Sequence, residues 1–174
     1  IVTDIVHALS CNPLKPAYRP GRGESARSAK RASALEWLKQ PGGVVCVGHD
    51  GQGFAFDNEG PRHEYLLRPY EIAHRLVTCG DYAAFIADGG YARPELWLSD
   101  GWAAIQREGW SAPIYWCRAD ENDLSERVDS RNWRVFGVSG LEVLDPDAPV
   151  SNLSFYEAAA YAEWAGARLP TEFE

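Results

Sequence analysis

No methionine occurs anywhere in the 174 residues, and no apolar stretch approaches the roughly 20 residues a helix needs to cross a bilayer. The second absence excludes a helical membrane anchor within this sequence. The first, with Ile1 opening directly into an apolar run, predicts a natural start upstream. No signal-peptide succession is present either. The four cysteines, Cys11, Cys46, Cys79 and Cys117, form no Cys-x-x-Cys pair. Their scatter argues against a zinc site and a dense disulfide framework, and leaves a reducing cytoplasm as the default setting. Positive charge is scarce too. A net charge of -8 and a pI near 5.0 leave no broad basic face for nucleic acid, and the acidity serves solubility.

What the chain does have is apolar mass and rings. Hydrophobic residues make up 45%, enough for one ordinary globular core. There are 7 tryptophans, 8 tyrosines and 6 phenylalanines, and several tryptophans sit beside glycines, as in Gly101-Trp102, Gly109-Trp110 and Trp164-Ala165-Gly166. Such a composition suits an irregular fold in which large rings bury loops that regular elements do not cover.

Along the chain, Ile1, Ile5 and Leu9 recur at helical spacing with Val2 and Val6 beside them, and Asn12-Pro13 stops the pattern. Residues 1–12 therefore read as the tail of a helix from a preceding domain. Residues 13–40, rich in Pro, Arg, Lys, Ser and Gly in their first part, read as a linker. From 41 onward the style is that of a single further domain reaching 174. Val44 to Val47, Phe54 to Phe56 and His63 to Leu67 read as a meander of three short strands, punctuated by His49-Asp50-Gly51-Gln52-Gly53 and Asp57-Asn58-Glu59-Gly60-Pro61. Cys46, in the first of them, reads as an inert buried thiol.

Three capping boxes follow. Thr78 to Asp81, with Val77 and Tyr82 as a hydrophobic staple, opens a helix striped by Tyr82, Phe85 and Ile86 and ended by Gly89-Gly90. Ser154 to Glu157 opens a second, with Ala158, Tyr161, Ala162 and Ala165 on one face and a stop at Gly166. Thr171 to Glu174 is a third box with no helix behind it, which predicts continuation past Glu174, since an isolated turn does not hold. Between the first two helices lie the aromatics of residues 91–150 and a charged stretch, 118–129, expected as an exposed loop. No internal repeat is present.

These blocks match a known pattern. Phe56-Asp57-Asn58-Glu59-Gly60-Pro61-Arg62-His63, Leu76-Val77-Thr78 with Gly80-Asp81-Tyr82, Pro149-Val150 before Leu153-Ser154-Phe155-Tyr156-Glu157-Ala158, Trp164-Ala165-Gly166 and Arg168-Leu169-Pro170-Thr171-Glu172 resemble the formylglycine-generating-enzyme-like, or sulfatase-modifying-factor, domain. Thr3-Asp4-Ile5-Val6-His7 running into Asn12-Pro13, Asp88-Gly89-Gly90-Tyr91 with Pro94-Glu95-Leu96-Trp97, and Ser99-Asp100-Gly101-Trp102 with Ala112-Pro113-Ile114-Tyr115-Trp116 resemble the ergothioneine-biosynthesis sulfoxide synthases within that superfamily. The resemblance implies an α+β, irregular C-type-lectin-like fold of short strands and a few capped helices, preceded by the end of a DinB-like helical bundle. It implies a non-haem iron(II) enzyme that uses dioxygen to join cysteine or γ-glutamylcysteine to the imidazole C2 of hercynine as a sulfoxide. Its partners are these small molecules, with neither nucleic acid nor membrane.

The family's iron is held by histidines, and its His-x-x-x-His pair is expected upstream of Ile1, so no metal ligand is assigned in this chain. His7 falls about three turns beyond that pair, ~16 Å along the axis, too far for bonds near 2 Å. His49 with Asp50 and His63 with Glu64 lack ligand spacing and suit surface hydrogen bonding. Cys79 stands where the family more often has Asn, and Asn152 where it often has His. The catalytic residues are expected outside the chain. Tyr91, Trp97 and Trp116 are the substrate-binding candidates, because aromatic rings hold a trimethylammonium cation well.

Other members of this architecture remain open: a selenoneine- or ovothiol-forming synthase, a copper-dependent formylglycine-generating oxidase, or a non-catalytic lectin-like binding module. The first expected outcome is that the isolated 174 residues are catalytically inactive. Iron-dependent sulfoxide formation by this piece alone, read by mass spectrometry, would overturn it.

Overall fold

The computed structural model describes residues 1–12, 17–18, 31–118 and 133–174. Residues 13–16 and 19–30 of the expected linker, and 119–129 of the expected exposed loop, lie outside the described residues. The chain divides into two compact units, residues 34–75 with 169–174, and residues 1–33 with 76–168.

The smaller unit is a two-stranded antiparallel ribbon broken at its middle by prolines. Strand β1 (Trp37–Gln40) pairs with β4 (Tyr70–Ala73), and β2 (Gly43–Val47) pairs with β3 (His63–Leu67), in one continuous register. At the break, Pro41 and Pro69 bring no N–H to the ladder. Beside them Gly42 has φ +71, and a Cβ there would lie 2.6 Å from the Leu67 carbonyl oxygen. Side chains alternate across such a ribbon. Val45 and Val47 are half-buried on one side while Val44 and Cys46 are exposed on the other. Cys46 is thus a surface thiol and not the buried one its apolar neighbours suggest. Two further expectations change here. Residues 37–40, assigned to the linker, form a strand, and Phe54 to Phe56 form none. Phe54 and Phe56 stand exposed, their rings edge to face at 5.1 Å. The ring of Phe173 packs on Tyr65 at 4.5 Å and His63 at 5.7 Å, and the Tyr70 hydroxyl donates to the Glu174 carbonyl oxygen at 3.0 Å.

The larger unit begins with α1 (Val2–Ser10), as the apolar spacing predicts, with Val6 buried. Helix α2 (Cys79–Ala87) starts at the expected box. Asp81 N–H donates to Thr78 Oγ1 at 3.1 Å, and Thr78 N–H donates to Asp81 Oδ2 at 2.9 Å. The two remaining free N–H groups of that first turn, of Cys79 and Gly80, donate at 2.8 Å to the carbonyls of Ala148 and Pro146. The helix start is therefore sealed by a segment far along the chain, as buried backbone donors require. Gly89, at φ +74, ends the helix.

Helix α3 (Ser99–Glu108) was not anticipated from sequence. Leu98 caps it without a side-chain bond, and Gly109 closes it at φ +68. A three-stranded antiparallel sheet follows, β5 (Trp116–Arg118), β6 (Trp133–Gly137) and β7 (Gly140–Val143), with β6 central. Helix α4 (Phe155–Trp164) opens with the predicted Ser154 to Glu157 box and ends before Gly166 at φ +68. Its buried positions are Glu157, Ala160 and Ala162, and Ala165, placed on the inner face by periodicity, is exposed. Ala165 is the C-cap, one residue past the helix end, while α4 itself packs against both α2 and α3, so its buried surface is wider than one stripe. Tyr82, Phe85 and Ala160 are fully enclosed at 0% exposure and mark the centre of this core. No helix among the described residues is long and apolar enough to cross a membrane.

The α3–α4 approach depends on one glycine. A Cβ on Gly101 would sit 2.7 Å from the Cβ of Tyr156, an atom fixed to the α4 backbone. Gly101→Ala gains about 1 kcal/mol of helix propensity but forces the helices apart, at a cost of about 1–3 kcal/mol. A net loss of stability is expected in denaturant titration; a more stable variant would refute the close approach.

Candidate functional site

The loop after α2 carries two of the three candidate rings. Its left-handed Gly89 is followed by two single 3₁₀ turns, Gly90–Ala92 and Pro94–Leu96. Glycine is required at 90, where a Cβ would collide with the Phe85 ring. The turn places Tyr91 and Trp97 face to flank, with centroids 5.2 Å apart. Trp97 Nε1 donates to the Gly90 carbonyl at 2.8 Å. Tyr91 donates its hydroxyl proton to Glu157 Oε1 at 2.5 Å and lies 3.2 Å from the Tyr82 hydroxyl. Trp116 comes from β5 and packs on Tyr82 at 6.1 Å and Trp133 at 5.7 Å. Tyr91, Trp97 and Trp116 are 8%, 7% and 9% exposed. The structure gathers these three rings into the core, linked through Tyr82 and Phe85.

Glu157 is the residue that sequence inspection underweighted. It was identified as the second half of a helix cap, yet it is 4% exposed, and both of its oxygens are engaged. Oε1 accepts from Tyr91, and Oε2 accepts the Ser154 N–H at 2.8 Å. A buried carboxylate is tolerated only when so bonded. Burial pushes the Tyr82 phenol well above its ordinary range. Tyr91 is raised by burial first and then by the neighbouring Tyr82 and Glu157. Both remain neutral proton donors at any ordinary pH.

At the surface of the same loop, Arg93 bridges Asp88 at 3.1 Å and Glu95 at 2.9 Å, and Trp164 Nε1 donates to Asp88 Oδ2 at 2.8 Å. The hydrogen bond from Arg93 holds Glu95 below the usual carboxylate range. Solvent screens such exposed pairs, so their role is to orient the loop.

The histidines are dispersed. His7 Nδ1 is 3.3 Å from the Tyr115 hydroxyl, His49 Nδ1 accepts the Gly51 N–H at 3.0 Å, His63 Nδ1 lies 2.9 Å from the Pro61 carbonyl oxygen, and His74 Nδ1 accepts the Glu36 N–H at 3.0 Å. Among the described residues no three His, Cys, Asp or Glu side chains converge to hold a metal. The His, Cys, Asp and Glu side chains among the described residues therefore do not assemble an iron site. Cys79 is buried, its Sγ 3.7 Å from the Pro149 carbonyl oxygen, and burial raises its thiol to about 11. Asn152, the other departure noted from sequence, takes φ +59, a left-handed conformation that Asn tolerates better than most residues. A shallow depression in the smaller unit, lined by Lys39, Gln40, Pro41, Pro69, Tyr70 and Glu71, brings together no further reactive groups.

Comparison with known proteins places this arrangement. The model of the sulfatase-modifying factor enzyme 1-like domain matches residues 23–174. A protein of Mycolicibacterium smegmatis named hercynine oxygenase is 39% identical over 136 residues, covering 77% of this chain and 29% of that protein. The protein of the same name from Mycobacterium tuberculosis is 38% identical over 131 residues, 75% of this chain and 28% of its own length. A formylglycine-generating enzyme of Streptomyces coelicolor is 31% identical over 163 residues, 87% of this chain and 49% of that protein. The chain thus spans under a third of the hercynine oxygenases it matches.

Removing the Glu157 side chain tests the cluster. Glu157→Ala leaves the Tyr91 hydroxyl and the Ser154 N–H without their partner, and a loss of about 3 kcal/mol is expected from the cap and the buried donor together. Glu157→Gln, which can still cap, is expected to lose less than half of that. Equal losses in thermal or chemical unfolding would refute the assignment.

Proposed function

The chain belongs to the sulfatase-modifying factor enzyme 1-like family, and on that footing we propose that it is the corresponding domain of an oxygen-dependent C–S bond-forming enzyme of ergothioneine biosynthesis. In this proposal the full-length protein joins a thiol, cysteine or γ-glutamylcysteine, to the imidazole C2 of hercynine as a sulfoxide. The observation that carries it is the 39% identity over 77% of the chain to a hercynine oxygenase, against 31% to a formylglycine-generating enzyme. Fold membership alone would not select between these chemistries.

The proposed cofactor of the whole enzyme is iron(II), bound by histidines that precede Ile1 in a DinB-like bundle. The 41–174 segment would then be the formylglycine-generating-enzyme-like domain and 1–12 the end of the bundle. Tyr91, Trp97 and Trp116 act on the hercynine cleft as its rigid backing. Their rings are spent on each other and on Phe85, Tyr82 and Trp133, so they set the position of the 88–97 loop and of β5. A second reading, a formylglycine-generating oxidase, is favoured by the longer coverage, 87% of this chain, of the Streptomyces coelicolor relative.

The deciding assay supplies the full-length protein with iron(II), dioxygen, hercynine and either thiol. A mass-spectrometric sulfoxide product is expected. Conversion of a sulfatase-peptide cysteine to formylglycine, with no sulfoxide, would replace the proposal with the second reading. In the same assay Trp97→Phe and Trp116→Phe are expected to raise KM for hercynine several-fold; unchanged kinetics would remove both rings from the cleft.

A further inference from the structure

The larger unit contains a continuous run of oxidisable rings. Trp133 and Trp116 have centroids 5.7 Å apart, Trp116 and Tyr82 6.1 Å, and Tyr161 and Trp164 5.7 Å. Tyr82 and Tyr161 stack at 5.5 Å with 22° between their planes. Tyr91 joins through the 3.2 Å approach of its hydroxyl to that of Tyr82. Two members of the run donate to a carboxylate: Tyr91 to the buried Glu157 at 2.5 Å, and Trp164 Nε1 to the exposed Asp88 at 2.8 Å. Apolar packing accounts for the ring contacts. Burial accounts for the hydrogen bonds on Tyr91 and Trp164 as well, and those same bonds supply a proton acceptor beside a phenol and beside an indole, which one-electron oxidation of each can use.

We propose that this run is a redox relay that moves an oxidising equivalent from Tyr91 to Trp164, where a soluble thiol discharges it. For its source of oxidant, a one-electron oxidant derived from dioxygen, the proposal rests on the oxygen-dependent function given above. The oxidant takes one electron from Tyr91. The phenolic O–H breaks, its proton passes to Glu157, and a neutral tyrosyl radical remains. Because burial disfavours the phenolates of Tyr82 and Tyr91, the proton must leave with the electron. An electron then passes from Trp164 through Tyr161 and Tyr82, Glu157 returns its proton to Tyr91, and the indole N–H proton of Trp164 moves to Asp88. A thiol gives one electron to the indolyl radical, Asp88 returns the proton, and the thiol's own proton goes to solvent. The net change is one thiol oxidised to a thiyl radical and one oxidising equivalent removed from the core.

The test is flash oxidation of the full chain by an external ruthenium(III) polypyridyl oxidant with no iron added, following tyrosyl and indolyl radicals by transient absorption. Tyr91→Phe and Glu157→Gln are each expected to lower the tyrosyl yield several-fold, while Trp37→Phe, an exposed ring outside the run, leaves it unchanged. Trp164→Phe is expected to slow thiol quenching several-fold. If Glu157→Gln does not fold, judged by circular dichroism, Tyr91→Phe and Tyr82→Phe decide the matter. A tyrosyl yield unaltered in the folded variants, or thiol quenching unaffected by Trp164→Phe, overturns the relay. Absence of sulfoxide in the assay above with the relay intact would overturn only the function that supplies the oxidant.

Discussion

Burying a carboxylate costs several kcal/mol unless its oxygens find donors, and Glu157, at 4% exposure, finds one for each oxygen from two elements at once. One oxygen closes the first turn of α4 by accepting the Ser154 N–H, and the other accepts the Tyr91 hydroxyl from the loop that leaves α2. The same residue therefore sets where α4 begins and where the 88–97 loop lies against it. Tyr82, beneath, is tied to the pair through its hydroxyl. Because a half-satisfied buried network costs more than none, these three side chains hold one arrangement, and the surrounding rings pack on it.

Close approach is the second condition. Gly90 lets the Phe85 ring sit against the loop backbone, and Gly101 lets α3 meet α4 at the Cβ of Tyr156. The start of α2 is closed by carbonyls of Ala148 and Pro146, so the segment just before α4 also seals α2. The tryptophans fill what these contacts enclose. A site assembled beside such a core inherits fixed loop positions. In the smaller unit the means are different: a ribbon of modest length, divided by Pro41 and Pro69, with the Phe173 ring laid over Tyr65 and His63.

Much of this was legible from local chemistry. The boxes at Thr78 and Ser154, the stops at Gly89 and Gly166 and the strands ending at Val47 and Leu67 all depend on residues within a few positions of one another. The family was legible for a related reason: its blocks are those same caps and turns in fixed order. The candidate rings were identifiable as a group by composition, but their role was not. Ring density points equally to a pocket wall or to a core, and the structure shows Tyr91, Trp97 and Trp116 packed among other rings at 7–9% exposure.

What the sequence by itself determined, then, is where α2 and α4 start and stop, because their capping boxes are satisfied within one turn of the chain. Only the tertiary structure decided what those helices bury. The Tyr91–Glu157 bond joins residues 66 positions apart, and α3 lacks a side-chain cap and was masked by its tryptophan and glycines. Cys46 faces outward because of strand pleat and register and not because of its neighbours' hydropathy. The wide inner face of α4 follows from having two partner helices, which no periodicity along its own ten residues records.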